Sequence, residues 1–471
     1  MAGRILIVDP VATNRIILKV KLSAARYDIC LASGFSEALI TSAAQAPDLI
    51  IVGLSASDAS ASDAGAKCIQ QIKGADLFSA IPVVAIASGA SNLARLAILK
   101  AGAEDVLTRP VDDAFLLARL RSLLRARDAT EELRLRDGTN KALGFEEGPT
   151  PFEPPANVAI VASDLTQATA WRRALQAQTG HKVEVWSPEE TLEQNAANSG
   201  PDALILAVDG AGRPGSALTI LPELRSRRGS RHAAVLAVLT VENPAAAVMA
   251  LDLGASDVMT AGFDAAELAL RLGVQVQRKR DADRLRTSVR DGLKMAMTDP
   301  LTGLFNRRYA LPHLGRIAAR AKSLNRGFAV MIADLDRFKS VNDTYGHSGG
   351  DDVLIEVSRL LQDNLRGVDL VARLGGEEFL IAMPDTTLDK ARIAGERLCR
   401  IVRETPVLLK DGRTKVGVTM SIGIAMGPGL DIHGRAPQDV DVEALLDAAD
   451  KALYLSKSEG RDQVTVSRTA A

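Results

Sequence analysis

The sequence predicts an α/β protein with two doubly wound parallel-sheet domains in tandem followed by an α+β domain, and three observations carry that prediction. Its 471 residues are about three times the usual domain length of roughly 150. Short runs of branched apolar residues alternate with helix-period stretches through residues 1–280, as parallel strands covered by helices on both faces require. One pattern also returns in register: Gly102-Ala103-Glu104-Asp105-Val106-Leu107-Thr108 reappears as Gly254-Ala255-Ser256-Asp257-Val258-Met259-Thr260, each followed by a helix-like stretch.

Taken in order, the first copy, expected over residues 1–130, has strand-like runs at Arg4-Ile5-Leu6-Ile7-Val8, Asp48-Leu49-Ile50-Ile51-Val52 and Pro82-Val83-Val84-Ala85-Ile86. The second, expected over 155–280, repeats them at Val158-Ala159-Ile160-Val161, Ala203-Leu204-Ile205-Leu206 and Ala234-Val235-Leu236-Ala237-Val238. Between them, Gly144-Phe145-Glu146-Glu147-Gly148-Pro149-Thr150-Pro151 and Pro154-Pro155 break any regular element and mark a linker. Gln275 to Met297 is charged and lacks proline, with Leu285, Val289, Leu293 and Met297 along one stripe, so a connecting helix with one apolar seam is expected. The seam either packs on its own domain or pairs with a second copy, and periodicity does not choose. From Thr298 the pattern changes to longer helices and strands such as Phe328–Ala333 and Val416–Ser421, predicting a third domain over 297–467.

Composition narrows the function. With 57 Lys+Arg against 58 Asp+Glu the formal charge is -1, and no global basic field draws the chain to nucleic acid or anionic lipid. Hydrophobic residues at 47% exclude disorder, and no apolar run reaches bilayer length or forms a signal peptide at Met1-Ala2-Gly3-Arg4, so no transmembrane segment and a cytoplasmic location are expected. Cys30, Cys68 and Cys399 are odd in number, far apart and without metal-ligand spacing, which argues for small core residues and against disulfides or zinc.

The chemistry concentrates in the third domain. Gly375-Gly376-Glu377-Glu378-Phe379 reads as a two-glycine hairpin turn with an acidic shoulder. It is joined by Asp334-Leu335-Asp336-Arg337-Phe338-Lys339 at the end of an apolar strand, then Asn342-Asp343, Gly346-His347 and Asp351. Carboxylate oxygens at a strand end and a neighbouring hairpin suit Mg²⁺, glycines let the backbone approach a triphosphate, and a lysine one turn on supplies a point charge for phosphate. Asn and Asp side chains offer the donors and acceptors that read a purine edge.

These residues resemble the GGDEF family of diguanylate cyclases, with further matches at Asp299-Pro300-Leu301-Thr302-Gly303-Leu304-Phe305-Asn306-Arg307-Arg308, Ser421-Ile422-Gly423-Ile424-Ala425 and Ala449-Asp450-Lys451-Ala452-Leu453-Tyr454 through Gly460-Arg461. The one departure in the signature is Glu377 where the family name has Asp, a variant the family also uses. The resemblance implies condensation of two GTP into cyclic di-GMP with release of two pyrophosphates, in a homodimer that brings two domains face to face. It implies Mg²⁺, with Mn²⁺ as an alternative, held by Asp334, the Leu335 carbonyl and Glu377. Glu377 also matches the acceptor of the ribose 3′-hydroxyl proton, Lys339 the transition-state stabiliser, and Glu378 stands beside them as a further catalytic candidate. Asn342 and Asp351 match guanine contacts, Lys457 and Arg461 phosphate contacts, and Gly375 and Gly376 the substrate-facing turn. Arg366-Gly367-Val368-Asp369 with Arg397 matches the family's inhibitory site for cyclic di-GMP.

The first copy resembles the receiver domain of two-component response regulators, a flavodoxin-like fold. In that family an acidic pair, an acceptor aspartate, a switch hydroxyl and a lysine handle a phosphoryl group; here those positions read Asp9-Pro10, Gly53, Ala87 and Arg109. Glycine has no side chain to phosphorylate, and Asp9 is expected to serve as a strand-end cap. The second copy is emptier, with Ala162-Ser163, Ala207 and Ala261-Gly262 at these places, and Asp58, Asp164 and Asp209 are displaced from the positions they would have to fill. Both receivers are therefore expected to dimerise or dock, with a histidine kinase or another response regulator as possible partner. The alternative is a catalytically silent cyclic di-GMP effector or a scaffold of a two-component pathway; the active-site carboxylates argue against the silent effector, while the degenerate pockets permit a scaffold alongside catalysis.

Overall fold

The computed structural model describes residues 3–54, 62–75, 78–89, 91–142, 154–194, 200–209, 217–427 and 441–467. The linker segment Gly144–Pro151 and Asp58 lie outside the described residues. The chain forms two compact units, Met1–Val289 and Arg290–Ala471.

The first unit holds both repeats. The first repeat comprises β1 (Arg4–Val8), α1 (Ala12–Ala24), β2 (Asp28–Ala32), α2 (Phe35–Gln45), β3 (Leu49–Leu54), α3 (Ser62–Gly74), β4 (Val83–Ala87), α4 (Asn92–Lys100), β5 (Asp105–Thr108) and α5 (Asp113–Ala142). The second comprises β6 (Asn157–Val161), α6 (Leu165–Gln176), β7 (Lys182–Trp186), α7 (Pro188–Gln194), β8 (Ala203–Val208), α8 (Leu221–Ser226), β9 (Ala234–Leu239), α9 (Pro244–Asp252), β10 (Asp257–Met259) and α10 (Ala265–Met297). Each makes a five-stranded parallel sheet in the doubly wound order, β2-β1-β3-β4-β5 and β7-β6-β8-β9-β10. Every residue of β3 and β8 is buried, which explains their unbroken apolar runs. Helix α10 begins ten residues earlier than the predicted start at Gln275, because Leu268, Leu272 and Val276 pack into the second core and the helix runs on without a proline. The predicted seam along it is not a core stripe: Leu293 is 55% exposed.

The repeated Gly-Ala-x-Asp-Val segments meet at a buried ring of charge. Asp105 and Asp257 each begin a strand, and Arg119 of α5 and Arg271 of α10 are fully buried between them. Arg119 pairs with Asp105 at 2.8 Å and Asp257 at 2.7 Å; Arg271 pairs with the same two at 2.7 and 3.0 Å. Glu267 adds a further bond to Arg271 at 2.7 Å and binds Arg95 of the first repeat at 3.0 Å. Burial alone would push the Asp105 carboxyl up, but Arg271, Arg119 and Arg95 hold it well below the usual carboxylate range.

Asp9 is not the helix cap expected: α1 starts after Val11 with no side-chain cap. Its buried carboxylate instead accepts from the Val11 amide at 2.8 Å, from Asn14 at 3.1 Å and from Arg109 at 2.8 Å. A Cβ on Gly53 would stand 1.8 Å from Asp9 Oδ2, so the missing side chain is what admits this carboxylate. In the second repeat Asp164 caps α6 through the amides of Thr166 and Gln167, and Asp209 accepts from the Thr240 hydroxyl.

The second unit comprises β11 (Phe305–Asn306), α11 (Arg307–Leu324), β12 (Phe328–Leu335), α12 (Phe338–Asp363), β13 (Leu370–Gly375), β14 (Glu378–Met383), α13 (Leu388–Glu404), β15 (Val407–Leu408), β16 (Lys415–Val416), β17 (Met420–Gly427), α14 (Val442–Ser458) and β18 (Val464–Val466). Its six-stranded sheet runs β11-β13-β14-β12-β17-β18, antiparallel at the centre and parallel at both edges. Val416–Ser421, predicted as one strand, is divided. Val416 pairs with Val407 in a small ribbon, while the Thr419 carbonyl turns to the amide of Asp336 at 2.9 Å before β17 begins. The Gly423 motif has a packing reason: a Cβ there would lie 2.1 Å from the Ala449 carbonyl, so only glycine lets α14 lie this close to β17. Cys30 and Cys399 are buried and Cys68 partly so, and none of the three joins a disulfide among the described residues. Among the described residues no helix is long and apolar enough to cross a membrane.

Candidate active site

The central strand β12 delivers the first carboxylate. Asp334 is its penultimate residue, facing Glu378 of β14 on one side and Ser421 of β17 on the other. The hairpin between β13 and β14 turns through Gly376 and Glu377, with φ of +152° at Gly375 and +51° at Gly376. A Cβ on either glycine would meet nothing within 4 Å, so the glycines serve backbone conformation and leave the space over the turn open. The Leu335 amide donates to the Glu377 carbonyl at 3.3 Å and brings the turn against the end of β12. Arg373 steadies the turn from below, donating twice to the Gly376 carbonyl at 2.9 and 2.7 Å and once to Asp299 at 3.0 Å. That bond gives the Asp299-Pro300-Leu301-Thr302 motif its part: it braces the hairpin, a role its sequence did not reveal.

Asp334 and Glu377 are short of positive charge. Burial pushes the Asp334 carboxyl above its ordinary value, opposed by Lys457 at 2.8 Å and reinforced by Asp336. Burial also raises Glu377, and the neighbouring Asp334 raises it further against the pull of Lys457. Two carboxylates that resist ionising together are a hard-oxygen pair that a small divalent cation would relieve. Among the described residues no three Asp, Glu, His or Cys side chains gather as a metal site.

Helix α12 supplies the next group. It is kinked at Gly346, where φ is +72°, folding its first part, with Lys339 and Asn342, back on the part with Asp351. A Cβ on Gly350 would lie 1.9 Å from Asn342 Oδ1, so Asn342 rests over Gly350, next to Asp351. Lys339 is exposed and forms no ion pair among the described residues. Lys457 reaches Asp334 from α14, and Arg461 lies in the left-handed turn that follows.

The second cluster lies before β13. Asp369 accepts from the Arg366 amide at 2.9 Å, closing a tight turn, while its Oδ1 is buried without a partner. The Arg366 side chain is exposed and makes no ion pair among the described residues, so the two do not form an ordinary Arg–Asp pair. Arg397 of α13 donates to the Asn364 carbonyl at 2.6 Å, two residues before Arg366.

Receiver-like sheets followed by an antiparallel-centred sheet with this hairpin define a response regulator with a GGDEF output domain. The diguanylate cyclase GGDEF domain model matches residues 296–463, and the response regulator receiver domain model matches residues 5–121. The chain is 34% identical over 464 residues to the response regulator PleD of Caulobacter vibrioides, covering 98% of this chain and 99% of that one. It is 35% identical over 180 residues to diguanylate cyclase A of Treponema denticola, covering 37% and 46%, and 36% identical over 166 residues to diguanylate cyclase DosC of Escherichia coli, covering 35% and 34%. The chain belongs to the PleD-type response regulators, and it is a diguanylate cyclase.

Proposed function

We propose that two copies of the chain face each other, each presenting one GTP, and join them into cyclic di-GMP with release of two pyrophosphates. The observation that carries this reading is the pair of under-compensated carboxylates, Asp334 and Glu377, at the meeting of strand end and glycine turn. Asp334, the Leu335 carbonyl and Glu377 would hold Mg²⁺, or Mn²⁺ in its place, which would supply positive charge to the triphosphate. Glu377 accepts the proton of the ribose 3′-hydroxyl, whose oxygen bonds the α-phosphorus of the facing GTP as the bond to pyrophosphate breaks. Glu378 borders the turn opposite Asp334 and adds to the negative field there. Lys339, with no carboxylate to hold it, is available for charge developing on the phosphoryl oxygens. Asn342 and Asp351 read the guanine edge, Lys457 and Arg461 meet the terminal phosphates, and Gly375 and Gly376 let the turn approach them.

Cyclic di-GMP inhibits at Arg366, Asp369 and Arg397. This is supported by the unpaired Arg366 guanidinium and the orphaned Asp369 Oδ1, which together offer a donor fork and an acceptor to a guanine edge and phosphate. The receivers serve as dimerisation or docking modules. The test is a turnover assay of the purified chain with GTP and Mg²⁺: cyclic di-GMP is expected, with specific activity rising with enzyme concentration and product inhibition relieved in Arg366→Ala at an unchanged initial rate. Failure to form cyclic di-GMP overturns the catalytic reading, and unaltered inhibition in the variant overturns the inhibitory one.

A further inference from the structure

Asp336 is two residues past Asp334, just beyond the end of β12, and is equally buried, yet its surroundings differ. Oδ1 accepts from the Ser421 hydroxyl at 2.7 Å; Oδ2 accepts from the Thr419 hydroxyl at 2.8 Å and from the backbone amide of Asp462 at 3.0 Å. Both oxygens are thus engaged by neutral donors of the protein, whereas Asp334 meets, among the described residues, the ammonium of Lys457. The third donor is the informative one. Asp462 ends a turn in which Gly460, Arg461 and Asp462 have φ of +132°, +66° and +51°. Non-glycine residues are strained in that region, so the turn persists only where its surroundings hold it. It is held by the Arg461 amide on the Ser456 carbonyl at 3.0 Å, by Arg403 on Asp462 at 2.6 Å, and by Asp336 from the strand.

We propose that Asp336 is a positioning residue that ties the turn after α14 to the strand carrying Asp334, and so fixes where Lys457 and Arg461 meet substrate phosphate; the proposal rests on the cyclase reading above. The two aspartates divide the work. The Lys457–Asp334 pair is a contact between two charges, and a cation at Asp334 competes with it. The amide bond to Asp336 has no such competitor, so the end of α14 keeps its place when Lys457 turns to phosphate. An anionic acceptor suits this because charge-assisted bonds to N–H and O–H are roughly twice as strong as neutral ones.

The test uses the full chain with Asp336→Ala, Asp336→Asn and Arg461→Ala, alone and combined. Asp336→Ala is expected to lower kcat/KM for GTP about tenfold, the equivalent of one charged hydrogen bond. Asp336→Asn is expected to recover part of this, since its oxygen still accepts from the Asp462 amide. In the Arg461→Ala background the Asp336→Ala loss is expected to shrink markedly, because the residue being positioned is gone. Hydrogen exchange of the metal-free protein is expected to accelerate at residues 460–463 in Asp336→Ala while β12 and β17 stay protected. An undiminished Asp336→Ala loss in the Arg461→Ala background, or unchanged exchange at 460–463, overturns the proposal. A wild-type chain that binds GTP but forms no cyclic di-GMP overturns the cyclase reading instead, and the exchange result and GTP affinity then decide the role of Asp336.

Discussion

Asp105 in the receiver-like unit and Asp334 in the catalytic unit are both buried aspartates at the terminus of a strand, and their carboxyls are driven in opposite directions. Around Asp105 burial is outweighed by Arg271, Arg119 and Arg95, and the acid is held strongly ionised. Around Asp334 one lysine fails to offset burial and the neighbouring Asp336, and the acid is held nearer protonation. Burial is common to both, so it does not distinguish structure from chemistry. The count of compensating charges does: a closed ring leaves nothing for a ligand to do, whereas a site short of cations gains when one arrives.

The sharpest way to break this comparison is to neutralise the uncompensated side. Glu377→Gln keeps the size of the side chain and removes the proposed metal ligand and proton acceptor, so turnover is expected to fall by about 10⁴-fold, the upper end for loss of a general base. The melting temperature of the metal-free variant is expected to hold or rise, because repulsion with Asp334 disappears. A large loss of stability together with the loss of turnover would place Glu377 with the structural acids.

The opposite result is expected on the compensated side. Asp105→Ala takes from buried Arg119 one of its two carboxylate partners and from buried Arg271 one of its three, at a cost of about 3–5 kcal/mol to the first unit, read as a lower urea midpoint. The pH dependence has a definite sign. A carboxyl whose folded value is depressed contributes stability that is complete above its unfolded value of about 3.9 and is lost as pH falls through the lower folded value. Urea midpoints of the wild type are expected to decline below about pH 4, with a shallower decline in Asp105→Ala.

The catalytic side of this comparison was legible in the sequence because its residues are tied to backbone events that leave marks: the glycine turn at Gly375-Gly376, and Gly423 where a helix crosses a strand. The structural ring was not. Gly-Ala-x-Asp-Val could be recognised as a repeat, but nothing within either copy showed that the two aspartates would meet. One signal was available: Arg119 and Arg271 each stand 14 residues after their aspartate. A spacing repeated in both copies implies a shared role, although nothing in it announces that each arginine also bonds the aspartate of the other copy. Asp9 and Arg109 are 100 residues apart, and only the topology joins them. Asp336 was visible as an acid of the motif, but its bond to the Asp462 amide depends on a left-handed turn that no residue pattern announces.

A smaller effect is expected where the receiver's old phosphorylation pocket has become an internal ion pair. Gly53→Ala places a methyl group in the space of the Asp9 carboxylate, and either that side chain or β3 must shift. The cost is expected to be about 1–3 kcal/mol, typical of overpacking, with Arg109 losing its one carboxylate partner among the described residues. Equal stability of variant and wild type would show that the Asp9–Arg109 pair contributes little.

The smallest expected effect is none at all, and it tests whether that pair has replaced a switch. A phosphoryl group needs a carboxylate to attack it and a cation held by acidic oxygens to balance its charge. In the first repeat the acceptor position is Gly53, and the remaining acid, Asp9, is already bound by Arg109, Asn14 and the Val11 amide. In the second, Ala162 and Ala207 are buried apolar residues, and Asp164 is committed to capping α6. Acetyl phosphate is therefore expected to leave cyclic di-GMP production unchanged at every enzyme concentration, while raising the concentration itself increases specific activity by mass action. A jump in activity on adding the donor, or an acyl phosphate mapped to Asp9, would mean that the ion pair opens and the charge balance that separates Asp105 from Asp334 is, at Asp9, a reversible one.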